Sequence, residues 1–446
     1  MLDSTIPDDP FTQELQRIRQ LIGQGQLQPA ALALNEAQRR SPQDARVPLL
    51  GMRLADAAGN VKGAIQAGRR ALALAPNWPV AMLELGARLV HGNQVEQAAR
   101  DEAMHLASSA VALEPDDPVV LHNAAAIAQA SSQKEQALAW RERAHAQRPD
   151  DAQLRFALGR SLLEFRRHAD AQPHFEWLAQ RFPDSSSAAL GLLDCALAAG
   201  DSATARQCAD RALAAAPDDP GVRYWHTVAH GGTPPTQPSD SIANLFDGYA
   251  PGFEENLVRD LHYRVPGRIA RILNQLHPDR RFNVLDLGCG TGLVGACLGR
   301  IEGHIVGVDL SERMIDLASQ FGVYSKFHQV NLLDALTHTP SDLYEAITCA
   351  DVLVYVGDLA PVVPGALRVL KPGGHFIFSC EAAQEGEPDL VLRHPSNRYA
   401  HRDSAVERLC REAGFADIQI EQLPVLRMEN QVPLPGFLVT ARKPVA

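Results

Sequence analysis

Residues 283–292 of the 446-residue chain read NVLDLGCGTG. An apolar run carries one carboxylate, Asp286, and passes straight into glycines at 288, 290 and 292, with LVGACLGR opening a helix behind them. Glycine adopts positive φ without strain and lets the backbone approach a ligand closely. The helix start behind the turn offers unpaired N–H groups. Asp286, set two residues before the first glycine, suits a cationic or hydroxyl-rich ligand better than a bare pyrophosphate. Gly290, Gly292 and Gly295 also satisfy the GxGxxG of dinucleotide-binding turns, and Asp309 stands roughly 20 residues on, where that fingerprint places an acid. On these residues alone, a nicotinamide cofactor remains open.

The elements around this turn alternate. Residues 241–276 repeat apolar positions at helical intervals, with a break at Ala250–Gly252. Strands are expected at 283–287, 305–309, 327–330, 344–349, 375–379, 418–423 and 436–441, with helices between them and a Pro-Gly-Gly turn at 372–374 leading into the fifth. Such alternation specifies a Rossmann-like α/β domain with a seven-stranded, mostly parallel sheet. Ligands of these sheets lie at the carboxyl ends of the strands, beside the first.

The first half of the chain is a repeat. Prolines at 42, 76, 115, 149, 183 and 217 are spaced by 34, 39, 34, 34 and 34 residues. Alanines at 30, 64, 137, 171 and 205 precede their prolines by twelve. In the third, longer repeat the matching alanine is taken as Ala98, counted from the front. Small residues recur five before each proline, at Ala37, Ala71, Ala110, Ala144 and Ala212, with Leu178 in the fifth. This resembles the tetratricopeptide repeat, six copies over about 9–217, each a pair of helices. Residues 219–230 read as a closing helix. The resemblance implies an all-α superhelix whose groove binds a peptide or protein segment; self-association as a homo-oligomer is the alternative. GGTPPTQPSD at 231–240 has a linker's composition. The domains expected are therefore 1–230, the linker 231–240, and 241–446.

A net charge of −11 speaks against nucleic-acid partners and anionic membranes, which need a basic surface. No apolar run approaches the roughly 18 residues of a membrane span, and the acidic start MLDSTIPDDP lacks a secretory pattern. Seven scattered cysteines without CxxC suggest neither disulfide framework nor zinc site, and fit a reducing cytoplasm.

Asp286 before the turn, Leu-Lys-Pro-Gly-Gly at 370–374 and two further strands closing the chain resemble the class I S-adenosylmethionine-dependent methyltransferases, over about 240–446. Phe246-Asp-x-Tyr-Ala-x-x-Phe253, LHYRVP at 261–266, ADVLVYVGD at 350–358 and NRYAH at 397–401 are similar to a bacterial group of predicted methyltransferases that carry tetratricopeptide repeats. The resemblance implies S-adenosylmethionine as cofactor and assigns roles. Asp286 faces the methionine amino group, directly or through water. Gly288, Cys289 and Gly290 pass the methionine and ribose, and Asp309 accepts the ribose hydroxyls. Leu310 and Met314 pack on adenine, Asn331 and the Leu332 backbone meet its edge, and Ala350 and Asp351 close the far side. Tyr249 belongs to a lid.

Methyl transfer needs nucleophile and methyl held in line, and a base only where the nucleophile must lose a proton. His401 is the first candidate base because imidazole titrates near neutrality. Tyr399 lies in the same stretch, and Glu381 is the alternative base. Arg398 offers a contact for a carboxylate or phosphate on the acceptor. The fourth strand ends without (N/D)PPY, which disfavours adenine amino groups and glutamine amides as acceptors. The chain thus reads as a methyltransferase for an oxygen or nitrogen on a peptide, protein or carrier-bound substrate recruited by the repeats. The alternatives are a free small-molecule methyltransferase with the repeats used for oligomerisation, and a binding scaffold of degenerate methyltransferase fold. No metal is implied.

Overall fold

The computed structural model describes residues 9–92, 95–249, 263–393, 396–429 and 432–445, the side chains of 248 and 249 excepted. Two units divide the chain between Ala215 and Ala216. The first is built of paired helices, from Pro10–Gly23 with Leu27–Arg40 to Ser186–Ala198 with Ser202–Ala215. Asp9, Asp117, Asp151 and Ser185 cap helix starts by accepting backbone N–H groups, which satisfies donors that a helix leaves free. The expected alanine positions are where the helices meet: Ala30, Ala64, Ala137, Ala171 and Ala205 are all wholly buried. In the third repeat the buried residue is Ala103, twelve before Pro115, while Ala98 is exposed. The register therefore runs back from the proline, and the five extra residues sit ahead of Ala103. Their helix, Gln97–Leu113, is correspondingly the long one at 17 residues.

The second unit begins with the Pro220–Ala229 helix, which the sequence reading placed with the repeats. It holds nine strands among the described residues: β1 Val284–Leu287, β2 Ile305–Asp309, β3 Lys326–Gln329, β4 Tyr344–Cys349, β5 Leu370–Ala382, β6 Leu390–Arg393, β7 Arg398–His401, β8 Ala416–Glu429 and β9 Val432–Arg442. The order β3-β2-β1-β4-β5 is parallel throughout. β9 pairs antiparallel with β5 and β8. Seven of the strands are the expected ones. The two unexpected ones, β6 and β7, form a hairpin whose β7 joins β5 only at Glu381 and Ala382. β1, buried along its whole length, sits between β2 and β4, and the chain leaving its carboxyl end can reach either side of the sheet.

No helix among the described residues is long and apolar enough to cross a membrane.

In the first unit, a Cβ at Gly191 would lie 2.4 Å from the ring of Phe175, which is itself wholly buried. A packed ring cannot retreat as a flexible side-chain end can. Gly191→Ala is expected to destabilise the repeats by about 1–3 kcal/mol, read as a lower urea midpoint at unchanged m-value; an unchanged midpoint would refute the packing argument.

Candidate active site

The glycine turn is left-handed at all three positions, with φ of 65° at Gly288, 53° at Gly290 and 86° at Gly292. A Cβ on Gly288 would stand 2.3 Å from Val352, so the chain following β4 packs directly on the turn. Gly290 N–H donates to Asp309 Oδ2 at 2.8 Å and Ser311 N–H to Asp309 Oδ1 at 2.9 Å. These two bonds fix the carboxylate at the end of β2 and favour its charge, while burial pushes its pKa up.

Asp286 has a different place from the one expected. It is wholly buried, accepts Tyr324 Oη at 2.6 Å on one oxygen and Thr348 Oγ1 at 2.7 Å on the other, and does not line the cavity below. With both oxygens taken by hydroxyl donors, it acts as a strut inside the sheet. Tyr324, just ahead of β3, was not singled out from the sequence. Its hydroxyl also accepts Gly295 N–H at 3.2 Å, and a Cβ on Gly295 would fall 2.4 Å from its ring. The third glycine of the GxGxxG is there for this tyrosine.

A cavity of about 470 Å³ opens at the carboxyl ends of β1, β2 and β4. Gly288, Cys289, Gly290, Asp309, Leu310, Asn331, Leu332, Ala350 and Asp351 line it. Met314 does not: it is wholly buried beneath its helix Glu312–Ser319. Tyr249 falls outside the described side chains. Asn331 is already engaged, its Oδ1 capping the helix at Leu333 N–H (2.8 Å) and its Nδ2 donating to Ser239 Oγ (2.9 Å). Phe246, Tyr263, Tyr355, Arg398 and Arg427 also line the cavity. Of these, Arg427 carried no sequence signal at all. The Tyr263 hydroxyl and Thr291 Oγ1 are buried there without a partner among the described residues, an arrangement that folded proteins rarely leave unless a ligand or water completes it.

Residues 285–378 match the methyltransferase domain family, and residues 156–220 the tetratricopeptide repeat. The chain joins a tetratricopeptide array to a class I methyltransferase domain. A ubiquinone biosynthesis O-methyltransferase of Hahella chejuensis is 31% identical over 99 residues, 22% of this chain and 42% of that protein. The one from Hydrogenovibrio crunogenus is 31% identical over 124 residues, 27% and 50%. The chain thus spans half or less of the length of these relatives. Among solved structures, the Burkholderia thailandensis 1,6-didemethyltoxoflavin-N1-methyltransferase is 20% identical, covering 48% of this chain and 92% of that one, with a TM-score of 0.37. Pseudomonas aeruginosa pilF is 17% identical, covering 50% and 96%, with a TM-score of 0.41.

S-adenosylmethionine is the cofactor of such a domain, and the cavity suits it. A Cβ at Gly290 would meet only open space, the Thr291 hydroxyl is unpartnered, and a fixed carboxylate stands at Asp309.

The three residues expected to do acid–base chemistry stand elsewhere. His401 is buried, does not line the cavity, and has Nε2 2.9 Å from the Gly357 carbonyl. A carbonyl only accepts, so Nε2 carries the proton; burial pushes the imidazole pKa down. Tyr399 is wholly buried and donates to the Pro234 carbonyl at 2.9 Å. Glu381 is buried in an ion cluster, 2.8 Å from Arg427 Nη2 and 3.1 Å from Arg393 Nε, and does not line the cavity either. Histidine and tyrosine here form a seat. The Pro234–Gln237 segment, despite its linker composition, is bound to the methyltransferase domain. Gly357 and Asp358 N–H donate to the Pro235 carbonyl at 2.9 and 2.8 Å, Gln237 N–H donates to the Tyr355 carbonyl at 3.1 Å, and Thr236 bridges to Val356. Thr236, Tyr355 and Val356 all line the cavity, so this strap is part of its wall.

Two outcomes follow from these placements. His401→Gln keeps a donor for Gly357 and is expected to hold kcat within about threefold, whereas loss of a general base costs roughly 100-fold or more; a drop of that size would restore His401 as the base. Asp286, its pKa raised from 3.8 to about 6 by burial against the pull of its two hydroxyl donors, binds its proton more tightly folded than unfolded. Its contribution to stability is therefore fully present below pH 3.8 and lost as pH rises through about 6. The stability of wild type relative to Asp286→Asn is expected to fall by about 3 kcal/mol between pH 3.5 and 7.5, measured by urea unfolding; a flat difference would contradict it.

Proposed function

We propose that the chain transfers a methyl group from S-adenosylmethionine to an oxygen or nitrogen of a peptide, protein or carrier-bound substrate recruited by the tetratricopeptide array. The observation that carries this reading is the Asp309 carboxylate. It lines the cavity at the end of β2, with both oxygens fixed by backbone N–H groups of the two flanking loops. A carboxylate so oriented has lone pairs left for two vicinal hydroxyls. The Gly288–Gly290 backbone would run along the methionine and ribose, and Leu310 and Leu332 would flank the adenine. When bound, the cofactor supplies a methyl carbon made electrophilic by its sulfonium.

The protein's own part is to place the acceptor in line with that carbon and to keep water away. Ile242, Phe246, Val352 and Val356 give the cavity an apolar lining for the second task. The cysteines, free throughout, fit a cytoplasmic setting. A free small-molecule acceptor, with the array serving self-association, is the second reading. The relatives' naming in ubiquinone biosynthesis favours it.

Calorimetry of the full chain with S-adenosylmethionine tests the site. Asp309→Ala is expected to weaken binding roughly 100-fold, the loss of charge-assisted hydrogen bonds. Equal affinity in the variant, or no binding by the wild type, would sink the reading. Tritiated methyl transfer into size-fractionated lysate separates the acceptors: label on macromolecules supports recruitment, and label on small molecules supports the second reading.

A further inference from the structure

The half of the cavity away from Asp309 has its own chemistry. In the sheet, β2 lies on one side of β1 and β4 on the other. Asp309 ends β2, and Asp351 follows β4. Asp351 is held at φ 56°, a conformation that costs a non-glycine residue energy and persists where the surroundings enforce it. Two contacts enforce it: Asp351 N–H donates to Ser379 Oγ at 2.9 Å, and Arg427 Nη1 donates to Asp351 Oδ1 at 2.5 Å. No such donor meets Oδ2 among the described residues, and Asp351 lines the cavity. Tyr263, whose buried hydroxyl also lacks a partner among the described residues, lines the same cavity.

Charge decides what these groups accept. Arg427 is spent on Asp351 and Glu381. Arg393 is spent on Glu381 and Glu387, and Arg398 on Glu429, with Glu381 at 3.8 Å. Each of the three guanidinium groups thus already faces at least one carboxylate among Asp351, Glu381, Glu387 and Glu429. An acidic acceptor would enter a site whose cations are already neutralised. For an acceptor that must first lose a proton, the described lining offers only the carboxylates of Asp309 and Asp351, which are weak bases. Among the described residues it contains neither histidine nor lysine, and burial drives the Tyr263 and Tyr355 hydroxyls upward, Tyr355 to about 12.

We infer that the acceptor atom is a nitrogen that is neutral at physiological pH, an aromatic amine or an amino-substituted N-heterocycle, whose N–H groups are received by Asp351 Oδ2 and Tyr263 Oη. The inference rests on the methyl-transfer reading above and narrows it. The nitrogen lone pair forms the new C–N bond as the methyl C–S bond breaks, its electron pair leaving on sulfur as a neutral thioether. Positive charge passes from sulfonium to nitrogen, no proton has to leave beforehand, and the Asp351 carboxylate faces the charge as it arrives. Arg427 is a positioning residue that aims Asp351. Tyr263, Arg398 and Arg427 lie outside the 285–378 stretch matched by the methyltransferase family, and Asp351 lies within it.

The test uses the full chain, tritiated S-adenosylmethionine and lysate. Recovered label is treated with alkali, which releases methyl esters as methanol, and then with hot hydriodic acid, which releases O-methyl ethers as methyl iodide. N-methyl label is expected to survive both; release by either overturns the inference. Asp351→Asn is expected to lower transfer about 100-fold with calorimetric affinity for S-adenosylmethionine within about twofold of wild type. Unchanged transfer, or lost cofactor affinity, overturns the role of Asp351. Tyr263→Phe removes a hydroxyl with no partner among the described residues and keeps the test independent of any disturbance at Arg427. It is expected to raise the acceptor KM about tenfold at unchanged cofactor affinity; an unchanged KM, or weakened cofactor binding, overturns the role of Tyr263. A wild type that binds S-adenosylmethionine but labels nothing overturns this inference alone, whereas one that does not bind it overturns the methyl-transfer reading as well.

Discussion

The buried carboxyl of Asp286 is the constraint on which the site depends. It sits in the middle of the sheet, where an unpaired carboxylate would be costly, and two hydroxyls meet that cost from different elements. Thr348 on β4 holds one oxygen, and Tyr324 ahead of β3 holds the other. β1 is thereby pinned to its neighbour and to a residue beyond β2. Tyr324 in turn needs room for its ring, and Gly292 and Gly295 leave it. Replacing either glycine by a residue with a Cβ would drive an atom to within about 3 Å of the tyrosine ring or closer. The turn that frames the cavity is glycine-rich on its cavity side for the ligand and on its hidden side for Tyr324.

A second set of contacts reaches the cavity from outside the α/β sheet. The strap 234–237 is paired to the loop after β4 and seated on β7 by Tyr399. Gly357 is where these pieces meet. A Cβ there would stand 2.7 Å from the Tyr399 ring and 3.1 Å from the Pro234 carbonyl. Its own carbonyl faces His401, and its N–H faces Pro235. A segment with the composition of a flexible linker thus loses its freedom to hydrogen bonds that the partner surface supplies, and composition cannot reveal a partner's carbonyls. The same holds for NRYAH. Its histidine and tyrosine invite an acid–base reading by residue type, yet each is buried with its polar atom turned to a backbone carbonyl.

What was legible follows from how local each signal is. The glycine turn, Asp309 and the contacts at 310, 331–332 and 350–351 could be read because a strand–turn–helix unit puts them in place within a few residues of one another. The repeat was legible through its period, and its one irregularity was misassigned to Ala98 because an insertion hides which end keeps the register. Tyr324, Arg427 and the unpartnered Tyr263 hydroxyl depend on packing between elements far apart in the chain. So does Met314, whose helical position gave no indication that its side chain would turn inward instead of toward the cavity.

Arg427 shows what this dependence means for assembly. It arrives on β8, the penultimate strand, which is held to the sheet through β9 and, by β9, to β5. Until that last antiparallel pair has formed, Glu381 at the end of β5 and Asp351 after β4 lack the guanidinium that reconciles them. Two carboxylates near one another without it would repel, and Glu381 could not be buried as it is. The contacts that complete the cavity therefore join residues 46 and 76 apart in sequence, and closing such distances comes late in folding because chain entropy must be given up before the contact returns anything. The glycine turn can form early from its own neighbours. The wall facing it exists only once the end of the chain is in place.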